Sequence, residues 1–154
     1  MTTHKIKKGL DLPLSGRPEQ ILTDAAEPKY VALETYEFAG IKPKVLVKEG
    51  DEVETGQPVF LNKVDRDIVW CAPASGTVHS VEFGPRRFLT RVVIEVGPDK
   101  HHAALPKLPE GGGREELIRA VKGAGLWPLF KQRPLGKMPV GEAAPAAILV
   151  NGMD

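Results

Sequence analysis

The sequence predicts a mainly β domain followed by a short helix and the start of an incomplete α/β domain. Three observations carry this reading. First, 14 prolines and 16 glycines are spread along the 154 residues and cut the chain into short pieces, which is the punctuation of a small β domain with many turns. Second, five β-branched or apolar runs lie between those breaks: Lys44–Val47, Pro58–Leu61, Ile68–Cys71, Thr77–Val81 and Leu89–Val96. Each is bounded by Gly, Pro, Asp or Asn, as strands require, and together they define an all-β unit over about residues 28–98. Third, helical periodicity appears only after these runs end. From Arg114 to Lys122, REELIRAVK places Leu117, Ile118 and Val121 on one face, with acidic residues in the first turn and stop signals at Gly123 and Gly125.

The remaining boundaries follow from composition. Residues 1–98 are expected to form the β domain with its N-terminal arm, and residues 99–113 a linker, because Gly97 to Gly113 carries proline, glycine and charge without periodicity. Residues 114–154 are expected to be the helix and first strand of a truncated second domain. Ala146–Val150 reads as a buried strand; such a strand needs partners on its edges and cover on its faces.

Bulk composition narrows the function classes. Apolar residues at 42% and charged residues at 27% lie near soluble-protein averages, favouring neither disorder nor a membrane class. A net charge of +1 lacks the strong positive field that nucleic-acid binding uses. Cys71 is the single cysteine. It excludes an intramolecular disulfide, a multi-cysteine metal site and an iron–sulfur cluster held by this chain, and it suits a reducing compartment. The apolar stretch Ala143–Val150 is far shorter than the ~20 residues that span a bilayer, and no apolar h-region follows the basic N-terminus. The chain is therefore expected to be neither exported nor membrane-spanning by itself, while attachment to a membrane complex stays open.

A glycine signature organises the β unit. In Val47 to Val59, VKEGDEVETGQPV, Gly50 and Gly56 flank an apolar Val53, where they are expected to supply positive φ. Some twenty residues on, Ala72-Pro73-Ala74-Ser75-Gly76-Thr77-Val78 makes a second turn into a strand. This pair resembles the barrel-sandwich hybrid fold of lipoyl and biotinyl carrier domains, whose intervening hairpin presents a lysine for covalent attachment in contexts such as ETDKA or EAMKM. Here the hairpin reads Asn62-Lys63-Val64-Asp65-Arg66-Asp67. The carrier lysine would fall near Asp65, and Lys63, two residues away, lacks the attachment context. Lys63 is expected to be a solvated hairpin charge.

The opening run from Lys5 to Gln20, KIKKGLDLPLSGRPEQ, is similar to the start of the A-subunit family of the Na+-translocating NADH:quinone oxidoreductase. Its prolines and glycine would hold an extended arm against the β unit. Further matches follow in the family's order: Gly40-Ile41-Lys42-Pro43, Val47 to Gln57, Ala72 to Val78, Arg91 to Glu95, Gly125-Leu126-Trp127, Arg133-Pro134, Ala147 to Val150 and Met153-Asp154. The resemblance runs the length of the chain but covers only about the first third of a typical member. The related RnfC family shares the carrier-like unit, differs at the start and later carries cysteine clusters.

The resemblance implies a peripheral component on the cytoplasmic side of the bacterial inner membrane, in a complex that oxidises NADH, reduces ubiquinone and exports Na+. It implies partners among the other subunits, which hold the flavins and the iron–sulfur centre, and membrane association only through the complex. Ubiquinone is a candidate contact. The flavin-phosphate loop of RnfC and of complex I, GxGGAGFPTxxKW, would fall at Gly125 to Pro134, where bulky residues replace its glycines. Trp127 and Phe130 are accordingly expected in core or interdomain packing rather than as a quinone-stacking surface.

No other residue set earns a role in the chemistry. His79, His101 and His102 have no carboxylate or cysteine at ligand spacing. Asp65 and Asp67 are expected to be solvated hairpin acids, and Arg86-Arg87 a turn with exposed charge. No catalytic, cofactor-binding or metal-ligating residue is assigned, and the chain alone is expected to be inactive. Two alternatives remain: a stand-alone carrier or interaction module, modified on Lys63 in the carrier case, and a fragment that folds only through its β unit.

Overall fold

Strands form where the apolar runs lie and turn where glycine and proline break them. The computed structural model describes residues 15–16, 19–107, 111–139 and 144–150. Among these, β1 is Tyr30–Glu34, β2 Pro43–Val45, β3 Glu52–Val53, β4 Pro58–Asn62, β5 Val69–Cys71, β6 Gly76–Phe83, β7 Leu89–Val96 and α1 Arg114–Gly123; short 3-10 turns cover Pro85–Arg87 and Trp127–Leu129. Each of the five expected runs contains a strand, although β2 ends at Val45 and β5 begins at Val69. β1 and β3 went unread: β1 is a short alternating edge segment, YVALE, and β3 has only two residues. The arm expected at Lys5–Gln20 lies mostly outside the described residues.

Two antiparallel sheets make the sandwich, one ordered β1-β7-β6-β3 and the other β2-β4-β5. The first is held by the long β6–β7 hairpin, in which Val78 faces Ile94 and Val81 faces Val92; β1 adds along β7 with Val31 opposite Ile94. Between the sheets lie Val59, Phe60, Ile68, Trp70, Val78, Leu89, Val92 and Ile94, all buried. The Phe60 and Trp70 rings stack with centroids 4.8 Å apart and planes 16° apart. Such a pair contributes about 0.5–1.5 kcal/mol beyond its area burial.

The glycine signature has a geometric cause. Gly50 and Gly56 adopt φ +87 and +88, a region other residues enter at a cost. Each glycine belongs to a turn closed by a side chain of its own motif. Asp51 Oδ2 accepts from the Lys48 N–H at 2.8 Å, and Gln57 Oε1 accepts from the Glu54 N–H at 3.0 Å. The glycine N–H groups then tie the turns to the sandwich, Gly50 donating to the Val78 carbonyl and Gly56 to the Ala72 carbonyl, both near 2.8–2.9 Å.

Buried polar groups are paired, as their desolvation demands. The Thr35 hydroxyl donates to the carbonyl of Leu89. The Ser75 hydroxyl donates to the Asp99 carbonyl at 2.7 Å and accepts from the His101 N–H at 3.2 Å. Ser75 thereby draws residues 99–103 onto the sandwich, where Thr55 N–H donates to the His101 carbonyl and Ala103 N–H to that of Thr55. Among the described side chains only the Trp70 indole N–H is buried without an acceptor.

After β7 the described chain departs from one expectation, the strand at Ala146–Val150. Residues 144–150 form no strand, and Ile148, Leu149 and Val150 are 67%, 89% and 86% exposed. No described strand pairs with them, and an apolar run without edge partners has nothing to hold it as a sheet. In α1 the buried position is Ala120, while Leu117 is half exposed. The helix meets the sandwich through its last turn, so residues near its start project into solvent.

Gly76 is the most closely approached of the described glycines. A Cβ placed there would stand 2.0 Å from the Glu95 carbonyl oxygen and 2.8 Å from the Gly97 nitrogen. Since both are backbone atoms in the β6–β7 ladder, Gly76→Ala is expected to lower stability by about 3 kcal/mol. A urea midpoint unchanged from the parent would show that the ladder relaxes around the methyl group.

Candidate functional site

The tip of the β4–β5 hairpin, residues 63–68, is the part of this architecture that a carrier domain uses for attachment. Buried Asn62 fixes its entry, because the side-chain oxygen accepts from the backbone N–H groups of Lys42 at 3.1 Å and Val64 at 3.3 Å. The Asn62 N–H donates to the Ile68 carbonyl, and the Lys63 N–H to that of Lys42. Asp65 shapes the tip. Its carbonyl accepts from the Ile68 N–H at 3.2 Å, and its Oδ1 from the Asp67 N–H at 3.3 Å.

Asp65 is not the solvated acid the sequence predicts. Its Oδ2 accepts from Lys122 Nζ at 2.6 Å, with the two side chains only 20% and 12% exposed. The correction has a plain cause: the last turn of α1 lies over the hairpin and removes water from the pair, which strengthens the attraction relative to a surface ion pair. Lys122 Nζ also sits 5.2 Å from the Trp127 ring centroid, within cation–π range. Its place at the C-terminal end of the helix sets a cation against the negative end of the dipole.

The chain beyond Lys122 continues the joint. Gly125 has φ +72, and a Cβ there would lie 2.7 Å from Cys71 Sγ. Glycine is thus needed both for the turn and for close approach to β5. Burial pushes the Cys71 thiol pKa up. Trp127 packs against the core and its indole N–H donates to the Pro139 carbonyl at 2.9 Å, while Met138 is buried in the core itself. Phe130 stays 42% exposed beside Trp127, 5.4 Å between centroids. Lys131 Nζ lies 5.4 Å from the Phe38 ring, which packs edge-on to Trp70.

The other candidates fall elsewhere. Lys63 and Asp67 are exposed on the hairpin. His79 packs on Tyr30 with centroids 4.9 Å apart, and His102 bridges to Thr55. Among the described residues no three His, Cys, Asp or Glu side chains are grouped as a metal ion requires, and no helix is long and apolar enough to cross a membrane. What the hairpin can do chemically is limited by its contacts: the carboxylate at the carrier position is committed to an ion pair under a helix. Sequence reasoning missed Lys122. Its partner lies 57 residues away, and no local pattern announces such a contact.

Comparison with known proteins agrees with this architecture. The profile of the NqrA N-terminal barrel-sandwich hybrid domain matches residues 4–97, and that of the NqrA second alpha/beta domain matches residues 113–154. Among similar proteins, the Na(+)-translocating NADH-quinone reductase A subunit of Actinobacillus succinogenes is 40% identical over 97% of this chain and 34% of its own length. The proteins of the same name from Neisseria meningitidis serogroup C and Yersinia pseudotuberculosis are 43% and 40% identical over the same shares. The chain spans about a third of the length of these relatives.

Removing one partner of a largely desolvated ion pair strands the other. Asp65→Asn and Lys122→Met are each expected to cost about 1–3 kcal/mol in urea unfolding, and the double variant clearly less than the sum. Strictly additive losses would show that the two groups do not act together.

Cys71 reports the same joint through its thiol. Iodoacetamide is expected to label it more slowly in the folded chain than in urea, and faster again in Gly125→Ala, whose methyl group displaces the covering turn. A raised thiol pKa means that the folded state holds its proton longer than the unfolded one. The associated stability is therefore whole below the ordinary thiol range and declines as pH rises through it toward the raised value. Cys71→Ala is expected to flatten that alkaline slope; equal slopes would assign it to other groups.

Proposed function

Since the chain belongs to the NqrA family, the A subunits of the Na(+)-translocating NADH-quinone reductase, we propose that it acts as the N-terminal assembly module of such a protein in a complex coupling NADH oxidation and ubiquinone reduction to Na+ export. In this reading the module sits peripherally on the cytoplasmic side of the membrane and contacts other subunits, which hold the flavins and the iron–sulfur centre. It carries no redox centre of its own, and contact with ubiquinone arises only within the assembled complex.

The observation that carries the reading is the order of the two matched domains along one chain, residues 4–97 and then 113–154, together with relatives that bear one and the same name. The hairpin supports it from the other side. An aspartate stands near the position of the attachment lysine and is paired to Lys122, which favours a fixed joint over a mobile cofactor arm.

An affinity tag on the chain, produced together with the remaining subunits, is expected to recover the complex. The purified chain alone is expected to show neither NADH oxidation nor quinone reduction, and its intact mass to match the unmodified sequence. Turnover by the isolated chain would sink the assembly reading. A lipoyl or biotinyl mass increment on Lys63 would replace it with the carrier reading.

A further inference from the structure

Away from the hairpin joint, one surface couples apolar side chains to exposed positive charge. Val45 and Val47 face Val81 and Phe83 of β6 across an open depression of about 410 Å³, bordered by Lys48 and Glu49. The Glu49 carboxylate is taken up by the Val81 N–H at 3.1 Å. Phe83 is half exposed although it ends a core strand, so the mouth of the sandwich is left lined with carbon.

Directly beyond Phe83 the chain turns through Gly84-Pro85-Arg86-Arg87, closed by the Gly84 N–H on the Phe88 carbonyl at 2.8 Å. Arg86 and Arg87 are exposed and hold φ 57 and 56, a left-handed pair that residues with a Cβ adopt at a steric cost. Arg91, in the neighbouring strand, pairs with both Glu34 and Glu82, whereas among the described residues Arg86 and Arg87 form no ion pair. Tyr36, 68% exposed, packs on Phe88 with centroids 6.1 Å apart. Exposed Tyr, Phe and Arg beside an apolar depression is the composition that protein interfaces concentrate at their centres.

We propose that this depression and turn bind an acidic, aliphatic segment of a partner protein, with apolar side chains against Val45, Val81 and Phe83 and carboxylates on Arg86 and Arg87. The sign of the charge selects this occupant. The chain's own N-terminal run carries Lys5, Lys7 and Lys8, which would bring like charge to the arginines. The inference deepens the assembly reading by naming the surface that a partner protein uses, and its test does not need the complex.

The probe is a short fluorescein-labelled peptide alternating leucine and glutamate, titrated with the whole chain at low salt and followed by anisotropy. The acidic peptide is expected to bind and to weaken as salt rises. Binding should fall about tenfold or more in R86E/R87E, and it should weaken in Phe83→Ser; a lysine counterpart should not bind. No binding of the acidic peptide, equal binding of the lysine peptide, or unchanged binding in R86E/R87E would each overturn the proposal. The arginines are exposed, and R86Q/R87Q with a parental urea midpoint serves if charge reversal disturbs folding. Recovery of the complex by the tagged chain is scored separately: peptide failure with intact recovery rejects only this surface, and peptide binding without recovery rejects only the assembly role.

Discussion

Trp70 joins the β4–β5 pair to a segment outside its sheet, because its ring is shared between Phe60 on the neighbouring strand and the link after β1. One face stacks on Phe60 of β4, and Phe38 from the link after β1 makes a T-shaped contact with it. Phe38 in turn lies under Lys131, beyond the helix. Close packing transmits such constraints, since an interior at crystal-like density leaves little room for one ring to move alone. The β4–β5 pair, the link and the segment after α1 therefore meet at one aromatic cluster, and the polar contacts of the hairpin add a second tie to the chain beyond β7.

How much of this could be read from the chain depended on the range of the interaction responsible. The five strands in the apolar runs, the helix and the positive-φ turns at Gly50 and Gly56 are products of local sequence: alternation, β-branching and the absence of a Cβ. β3 is too short for alternation to register, and its pairing to β6 is supplied by partner residues Thr77 and Gly76. Ala146–Val150 shows the reverse case, in which local composition says strand and no described strand pairs with the run. At the hairpin, the departure from the carrier pattern was legible in Asp65 itself. Its capture by Lys122 was not, because that contact exists only after the last turn of the helix has been brought to the hairpin.

The hairpin illustrates how one architecture serves opposite mechanical ends. A carrier domain needs its attachment residue at a free tip. Here the same tip is anchored at its base by Asn62, and its Asp65 is held by Lys122, which is itself flanked by Trp127. Electrostatics alone would give little at such a site if it were wet. The joint gains strength from exclusion of water by the helix end and the indole, so packing and charge depend on each other.

That dependence has a temporal side. Among the described residues every strand of the sandwich lies within residues 30–96, and the helix whose last turn docks on it starts at Arg114. A chain emerging in order from its N-terminus completes the hairpin before the residues that cover it exist, and units of this kind fold in that order. Asp65 is thus presented to water first and recruited afterwards, so that the finished sandwich serves as the template on which the next segment of the nascent polypeptide is seated.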